Sequence, residues 1–203
     1  MMIVPMAAAA FLASATISYW QIGSTENMCL ASQLDFPRGK PPPEVVWGMT
    51  RKKNGWLELR LPLAKNHPLA NPYTLAQAQR VRLVDAGGRE IGDYWVTSRD
   101  AFPNDPDRFA LVLAPRLPAE DEASARKAGG EARVRAMAAT NRADFIRDLG
   151  KAARFDLLSV SVTGAETLWT TNLRGTKDAV ERFNKCFASL QSGSEYRDYF
   201  RIE

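Results

Sequence analysis

Residues 168–187 read Leu168-Trp-Thr-Thr-Asn-Leu-Arg-Gly-Thr-Lys-Asp-Ala-Val-Glu-Arg-Phe-Asn-Lys-Cys-Phe187 and decide the fold. This stretch predicts an apolar strand, a tight turn at Arg174-Gly175 and a helix with Thr176 as its N-cap. The apolar residues of the helix share one face, because residues three and four apart are neighbours on a helix: Ala179, Phe183, Cys186, Phe187 and Leu190. We therefore expect Cys186 to point inward and the helix to lie flat on a sheet.

The chain contains two cysteines, and the second, Cys29, lies near the opposite end of the sequence. If the protein is exported, two cysteines and no more imply one disulfide, between Cys29 and Cys186. That bond would place a strand near the N-terminus beside the C-terminal helix. The alternative is two buried free thiols in a cytoplasmic protein. The absence of a Cys-x-x-Cys motif gives redox catalysis little support, and the single histidine argues against a four-ligand zinc site.

Residues 1–15 resemble a signal peptide. They are apolar and end in Ala13-Ser14-Ala15, the small-x-small pattern of a signal-peptidase site. The run is shorter than the roughly 20 apolar residues that span a bilayer. The first charge is Glu26, so a positive n-region is missing, which a true start upstream of Met1 would explain. We predict a cleaved leader over 1–15, no stable membrane insertion after its removal, and a periplasmic or secreted protein; a retained anchor or a leaderless chain is the alternative.

Length and composition favour one folded domain. The chain has 203 residues, 45% of them hydrophobic and 25% charged, which suffices for a full core. We assign residues 16–203 to a single β-rich domain. The net charge is +4, and basic residues alternate with acidic ones rather than cluster. A nucleic-acid partner is therefore not expected.

Alternating apolar and polar residues predict a series of strands, at 17–22, 28–34, 44–50, 56–63, 80–85, 90–97, 109–114, 155–162 and 167–173. Asn54-Gly55 predicts a hairpin whose two turn positions both have positive φ. Loops are predicted over 64–79, apart from one helical turn near 75–78, and over 98–108 and 163–166. Helices are predicted at 118–128, 131–149 and 176–190, the first two separated by Gly129-Gly130. The fold class is mainly β, an antiparallel β-sandwich with one mid-chain helix and a C-terminal helix.

Residues that carry chemistry are sparse. His67 lies in a turn context, and no Gly-x-Ser-x-Gly motif accompanies it. The loop with Asp100, Asn104, Asp105 and Asp107 is rich in oxygen ligands, but its spacing differs from an EF-hand and its prolines favour Asx-type turns. Phosphate-loop and dinucleotide fingerprints are absent, so no cofactor, metal or catalytic residue is predicted.

Two further groups of residues receive structural interpretations. Arg51-Lys52-Lys53 is interpreted as a solvated hairpin tip rather than a phosphate-binding patch. The chain has five tryptophans, and they lie in or beside predicted strands. Core packing or cross-strand pairing explains them more simply than a platform for stacking sugars or bases.

The order of these features resembles the invasion-associated locus B-like family of bacterial periplasmic proteins. The similar parts are a strand with Trp20 followed by Cys29, a run of hairpins, a strand before a helix, and a last strand leading into Leu173-Arg174-Gly175 and a helix with Ala179. The chain lacks the paired central cysteines of many members, and Cys186 inside its last helix is distinctive. The resemblance implies an exported, non-enzymatic, β-rich module.

The function that the sequence favours is that of an exported, non-catalytic binding or interaction module, with an unknown protein or envelope component as its partner. Its binding residues are not predicted. One alternative is a carboxylate-dependent hydrolase or carbohydrate-active domain that uses acids such as Asp100, Asp105 or Glu90. Such an enzyme needs two acids about 5–10 Å apart in a cleft. A second alternative is a weak binder of anionic polymers.

Overall fold

The computed structural model describes residues 17–36, 44–101, 108–194 and 196. Within them the strands are β1 Ile17–Thr25, β2 Met28–Phe36, β3 Glu44–Lys52, β4 Leu57–Ala64, β5 Ala78–Val84, β6 Glu90–Ala101, β7 Arg108–Pro115, β8 Arg154–Ser161 and β9 Gly164–Asn172. The helices are α1 Pro72–Gln77, α2 Ala119–Leu149 and α3 Thr176–Ser192, and a 3₁₀ turn covers Pro68–Ala70. The predicted leader lies outside the described residues.

All nine strands of the described chain belong to one antiparallel sheet, in the order β1-β2-β3-β4-β7-β6-β5-β8-β9. The prediction of a mainly β fold with antiparallel strands is therefore confirmed. Antiparallel strands pair readily when short turns join them, and most of these strands follow one another directly along the chain. The core combines apolar residues from the inner face of the sheet with apolar residues of α2 and α3 that pack on it.

The sheet curls strongly. Trp47 on β3 and Phe155 on β8 lie five strand positions apart, a separation of about 24 Å in a flat sheet. Their ring centroids are 6.1 Å apart. Trp47 also packs edge-to-face on Trp20 of β1, with ring centroids 4.7 Å apart. The two ends of the sheet therefore contribute to one continuous core.

Helix α3 lies against β1 and β2, and the predicted disulfide fixes it there. Cys29 and Cys186 are bonded, with their Cα atoms 6.1 Å apart and neither residue exposed. The predicted inward face is confirmed, since Ala179, Phe183, Cys186 and Leu190 are buried and Phe187 is half-buried against the core. The N-terminal strand and the C-terminal helix are thus joined across most of the chain.

The predicted start of α3 was wrong in one detail. Thr176 is the first helical residue and not the N-cap, a position that Gly175 occupies with φ of 64°. The Thr176 hydroxyl instead donates a hydrogen bond to the backbone oxygen of Ala152 at 3.1 Å. The Thr176 hydroxyl therefore bonds to a carbonyl in the loop before β8 and does not cap the helix.

The predicted β3–β4 turn also differs. Among the described residues only glycines have positive φ, so Gly55 at 83° adopts this conformation and Asn54 does not. The side-chain oxygen of Asn54 accepts a hydrogen bond from the backbone N–H of Trp56 at 3.0 Å. This local bond favours an Asx-type turn over the predicted turn with two positive φ values.

Three predicted loops are shorter than expected. The first contains α1 and the start of β5, where the sequence predicted a loop with one helical turn near 75–78. The second loop starts after Ala101 rather than at Ser98, because β6 extends that far and pairs residues 97–101 with β7. The third reduces to Val162 and Thr163, since β9 begins at Gly164. The predicted break in the middle helix is confirmed, because Gly129 and Gly130 are not helical within α2.

Candidate binding cleft between the two helices

The cleft lies between the C-terminal part of α2 and the N-terminal half of α3, with a volume of about 810 Å³. Its lining includes apolar side chains from both helices and from the strand ends: Ala143, Ile146, Ala152, Ala153, Leu173 and Val180. Its charged lining residues are Arg51, Arg147, Lys151, Lys177 and Glu181. An apolar concave surface with a few charged groups is the usual form of a binding site.

The two helices approach each other closely at the C-terminal end of α2, although the β8–β9 hairpin separates them in the sequence. Helix α2 ends at Gly150, whose N–H bonds to the backbone oxygen of Ile146 at 3.2 Å. A Cβ at Gly150 would lie 3.4 Å from the side chain of Val180, so the helices approach closely at this point. The indole N–H of Trp20 donates to the backbone oxygen of Arg174 at 2.7 Å, which fixes the chain just before α3.

The positive charge of the cleft is only partly balanced. Arg147 forms ion pairs with Asp144 and Asp148, and Lys151 lies 3.7 Å from a carboxylate oxygen of Asp148. Within the described ranges, neither Arg51 nor Lys177 has an ion pair with a carboxylate. The lining thus carries four basic side chains against one acidic side chain, Glu181, and of the basic ones Arg51 and Lys177 lack an ion pair in these ranges.

The side chain of Arg51 is half-buried rather than fully exposed. It pairs in register with Cys29 of β2, next to the disulfide. Its guanidinium carbon lies 3.6 Å from the centre of the Phe187 ring, a close cation–π contact. Burial and the nearby charge of Arg142 lower the pKa of Arg51. Arg51 thus connects the disulfide, α3 and the cleft.

The prediction for Arg51-Lys52-Lys53 was therefore wrong for its first residue. Lys52 and Lys53 are exposed, as expected of a hairpin tip, whereas Arg51 is half-buried. The strand alternation contained the signal, because Trp47, Met49 and Arg51 share one face of β3 and the first two are fully buried. No comparable signal in the sequence identified Lys151, Lys177 or Arg142.

His67 has a structural role. Its Nδ1 accepts a hydrogen bond from the backbone N–H of Leu69 at 3.2 Å and so caps the 3₁₀ turn. Burial lowers the pKa of His67. Its ring contacts Trp169 edge-on, with the centroids 6.5 Å apart. The predicted turn context of His67 is confirmed.

Glu90 and Asp100, the two described carboxylates of the hydrolase alternative, lie far apart. Glu90 begins β6 and forms an ion pair with Arg82 at 3.0 Å. Asp100 lies ten residues further along the same strand, roughly 33 Å away if the strand is extended. Asn104, Asp105 and Asp107 lie outside the described residues. Within the described part of the chain, no three metal-ligating side chains cluster.

The tryptophans mostly serve the core. Trp20 and Trp47 are buried, Trp95 and Trp169 are half-buried, and Trp56 is 43% exposed. The indole N–H of Trp47 donates to the side-chain oxygen of Gln33 at 2.7 Å, which satisfies both buried groups. Core packing thus accounts for the buried tryptophans.

A buried carboxylate on β4 was not predicted. Glu58 accepts hydrogen bonds from the indole N–H of Trp56 at 3.0 Å, from Arg99 at 2.8 Å and from Arg60 at 3.3 Å. Burial raises the pKa of Glu58, but these three donors outweigh it and hold the pKa below its usual value. A carboxylate with a depressed pKa stabilises the fold above the pKa of the unfolded chain, and this stabilisation is lost as the pH falls.

We expect the free energy of unfolding to fall as the pH drops below about 4.5, the range where carboxylates of an unfolded chain take up protons. Glu58→Gln should be less stable at neutral pH and should lose stability less steeply in acid. Denaturant unfolding at a series of pH values measures both effects. Glu90→Gln, which alters an exposed ion pair, is the control and should retain the acid dependence of the wild type. A Glu58→Gln profile parallel to the wild type would contradict this account.

The fold is mainly β, with a disulfide-anchored helix and a cleft whose lining is apolar and predominantly basic. Comparison of the chain with protein-family models, with curated proteins and with solved structures finds no match. In the described part of the chain, no helix has the length and apolar character that crossing a membrane requires.

Proposed function

We propose that this protein is an exported, non-catalytic binding module whose cleft takes an acidic amphipathic helix of a partner protein. The observation that carries the proposal is the excess of basic over acidic side chains in the cleft lining, four against one, beside an apolar floor. A groove between two helices, with an apolar floor and charged rims, suits an amphipathic helix of opposite charge. The cations also favour encounter with an acidic partner, because opposite charges steer association.

The localisation and architecture form part of the same proposal. The buried disulfide supports an oxidising compartment such as the periplasm, where such bonds persist. The resemblance to the invasion-associated locus B-like family is proposed on the order of features that includes Trp20, Cys29 and the Leu173-Arg174-Gly175 turn. The contact between Trp47 and Phe155 supports a β-sandwich arrangement of the curled sheet.

Binding of a synthetic acidic amphipathic peptide, measured by calorimetry at low and moderate salt, tests the proposal. We expect Lys177→Gln and Arg51→Gln each to weaken binding roughly two- to fivefold, because each removes one favourable charge pair. Lys185→Gln is the matched control, since Lys185 is exposed on the same helix but does not line the cleft. It should bind like the wild type.

Two further peptides distinguish the alternatives. A scrambled peptide of equal charge but without an apolar face should bind more weakly, because it cannot cover Ile146 and Val180. Equal binding of the scrambled peptide, or of polyglutamate, would favour the weak binding of anionic polymers instead. Equal affinity of Lys177→Gln and Lys185→Gln would contradict the assignment of the cleft.

A further inference from the structure

Two arginines from distant parts of the sequence lie near the β3–β4 turn, and one of them, Arg51, also lines the cleft. Arg51 comes from the end of β3, and Arg142 reaches the β3–β4 turn from α2. A Cβ at Gly55 in that turn would lie 4.0 Å from a terminal nitrogen of Arg142. Both arginines are half-buried. The positive charge of Arg142 lowers the pKa of Arg51, and burial lowers the pKa of Arg142 itself.

In the described residues, neither Arg51 nor Arg142 has a carboxylate partner. The other half-buried arginines of the described strands each have one. Arg80 is paired with Asp93, and the Nε atoms of Arg82 and Arg154 lie 3.0 Å and 3.1 Å from carboxylate oxygens. Arg51, Arg82 and Arg154 each have a buried Nε without a hydrogen bond, but of these three only Arg51 also lacks a carboxylate within ion-pair distance in the described residues. Buried donors are normally satisfied, so a missing acceptor at this point indicates a group that the chain itself does not supply.

Like charges held close together in a partly desolvated site repel each other, and an anion between them would relieve that repulsion. The guanidinium group matches the planar, two-oxygen face of a carboxylate or the oxygens of a phosphoryl group. The stacking of Arg51 on Phe187 fixes its orientation in advance, which reduces the entropy lost on binding. The site is therefore built for an oxyanion rather than for a neutral ligand.

We infer that Arg51 and Arg142 form a subsite for one oxyanion, and that in the proposed complex a side-chain carboxylate of the partner helix occupies it. This inference rests on the proposed function for the source of the anion, because Arg51 also lines the cleft. A free phosphate ion presents the same kind of negatively charged oxygens as that carboxylate. Small anions and the peptide can therefore be tested separately.

The first measurement is NMR of the oxidised protein with isotope-labelled arginine side chains, titrated with inorganic phosphate against chloride at equal ionic strength. We expect the Nε–H signal of Arg51 to shift and to saturate. The apparent affinity should fall about tenfold or more in Arg142→Gln, which removes a charge-assisted contact. Arg133→Gln, an exposed arginine on the same helix, is the matched control and should behave like the wild type. Equal shifts in Arg142→Gln and the wild type would overturn the subsite.

The second measurement separates this inference from the proposed function. If phosphate binds at Arg51 and Arg142 but the acidic amphipathic peptide does not bind, the subsite stands and the proposed partner fails. If the peptide binds the wild type and Arg142→Gln with equal affinity, the cleft stands and the inferred occupation of the subsite by a partner carboxylate fails. A peptide affinity that falls in Arg142→Gln and is competed by phosphate supports both.

Discussion

The double variant Cys29→Ala/Cys186→Ala is expected to lose about 4–5 kcal/mol of unfolding free energy. The disulfide links residues separated by 157 positions. A cross-link across so long a loop removes much of the conformational freedom of the unfolded chain. It also holds α3 on β1 and β2, where Phe183 and Leu190 are buried. Denaturant unfolding of the oxidised wild type and the double variant, monitored by circular dichroism, measures the difference.

The reduced wild type is the matched control for this variant. It lacks the cross-link but keeps both sulfur atoms, so it separates the effect of the bond from the effect of the smaller alanine side chains. We expect the reduced wild type to lose most of the same stability as the double variant. A loss below about 1 kcal/mol in both proteins would show that the bond contributes little to the fold.

Trp47→Ala is expected to destabilise the protein by about 3–5 kcal/mol, the range for deleting a large buried aromatic side chain. Trp47 is fully buried and packs on Trp20 and Phe155. Its loss would leave a cavity where distant strands meet and would leave the side chain of Gln33 without its hydrogen-bond donor. Chemical unfolding at neutral pH measures the loss.

Trp56→Ala provides the comparison for that prediction. Trp56 is 43% exposed, so its replacement removes less buried surface, although Glu58 loses one of its donors. We expect a smaller loss, about 1–2 kcal/mol. Equal losses in Trp47→Ala and Trp56→Ala would contradict the central position assigned to Trp47 in the curled sheet.

Patterns in the sequence predicted the strands and the disulfide between Cys29 and Cys186. Leu57, Leu59 and Leu61 alternate within the strand predicted at 56–63, and all three are buried. Helical periodicity placed Cys186 on the inner face of α3, and the count of cysteines then gave its partner. The strand and helix predictions succeeded because each depends on side-chain spacing within one segment, and the disulfide prediction succeeded because the chain has only two cysteines.

The cleft could not be predicted in the same way, because it depends on contacts between distant segments. Arg51 and Arg142 come from different elements, and their proximity follows only from the packing of α2 beside the β3–β4 turn. Thr176 fits the local pattern of an N-cap, yet the carbonyl of Ala152 from another segment takes its hydroxyl. At these positions, tertiary contacts rather than local propensity determine which groups the side chains contact.

The central claim is that the disulfide positions α3 so that the cleft can bind its acidic partner. Peptide titration of the oxidised and the reduced protein, at a temperature where circular dichroism shows that both remain folded, tests it most directly. We expect clear, salt-dependent binding by the oxidised protein and weaker binding by the reduced protein, because Arg51 and Phe187 flank the disulfide. Equal affinity of the two folded forms would contradict it.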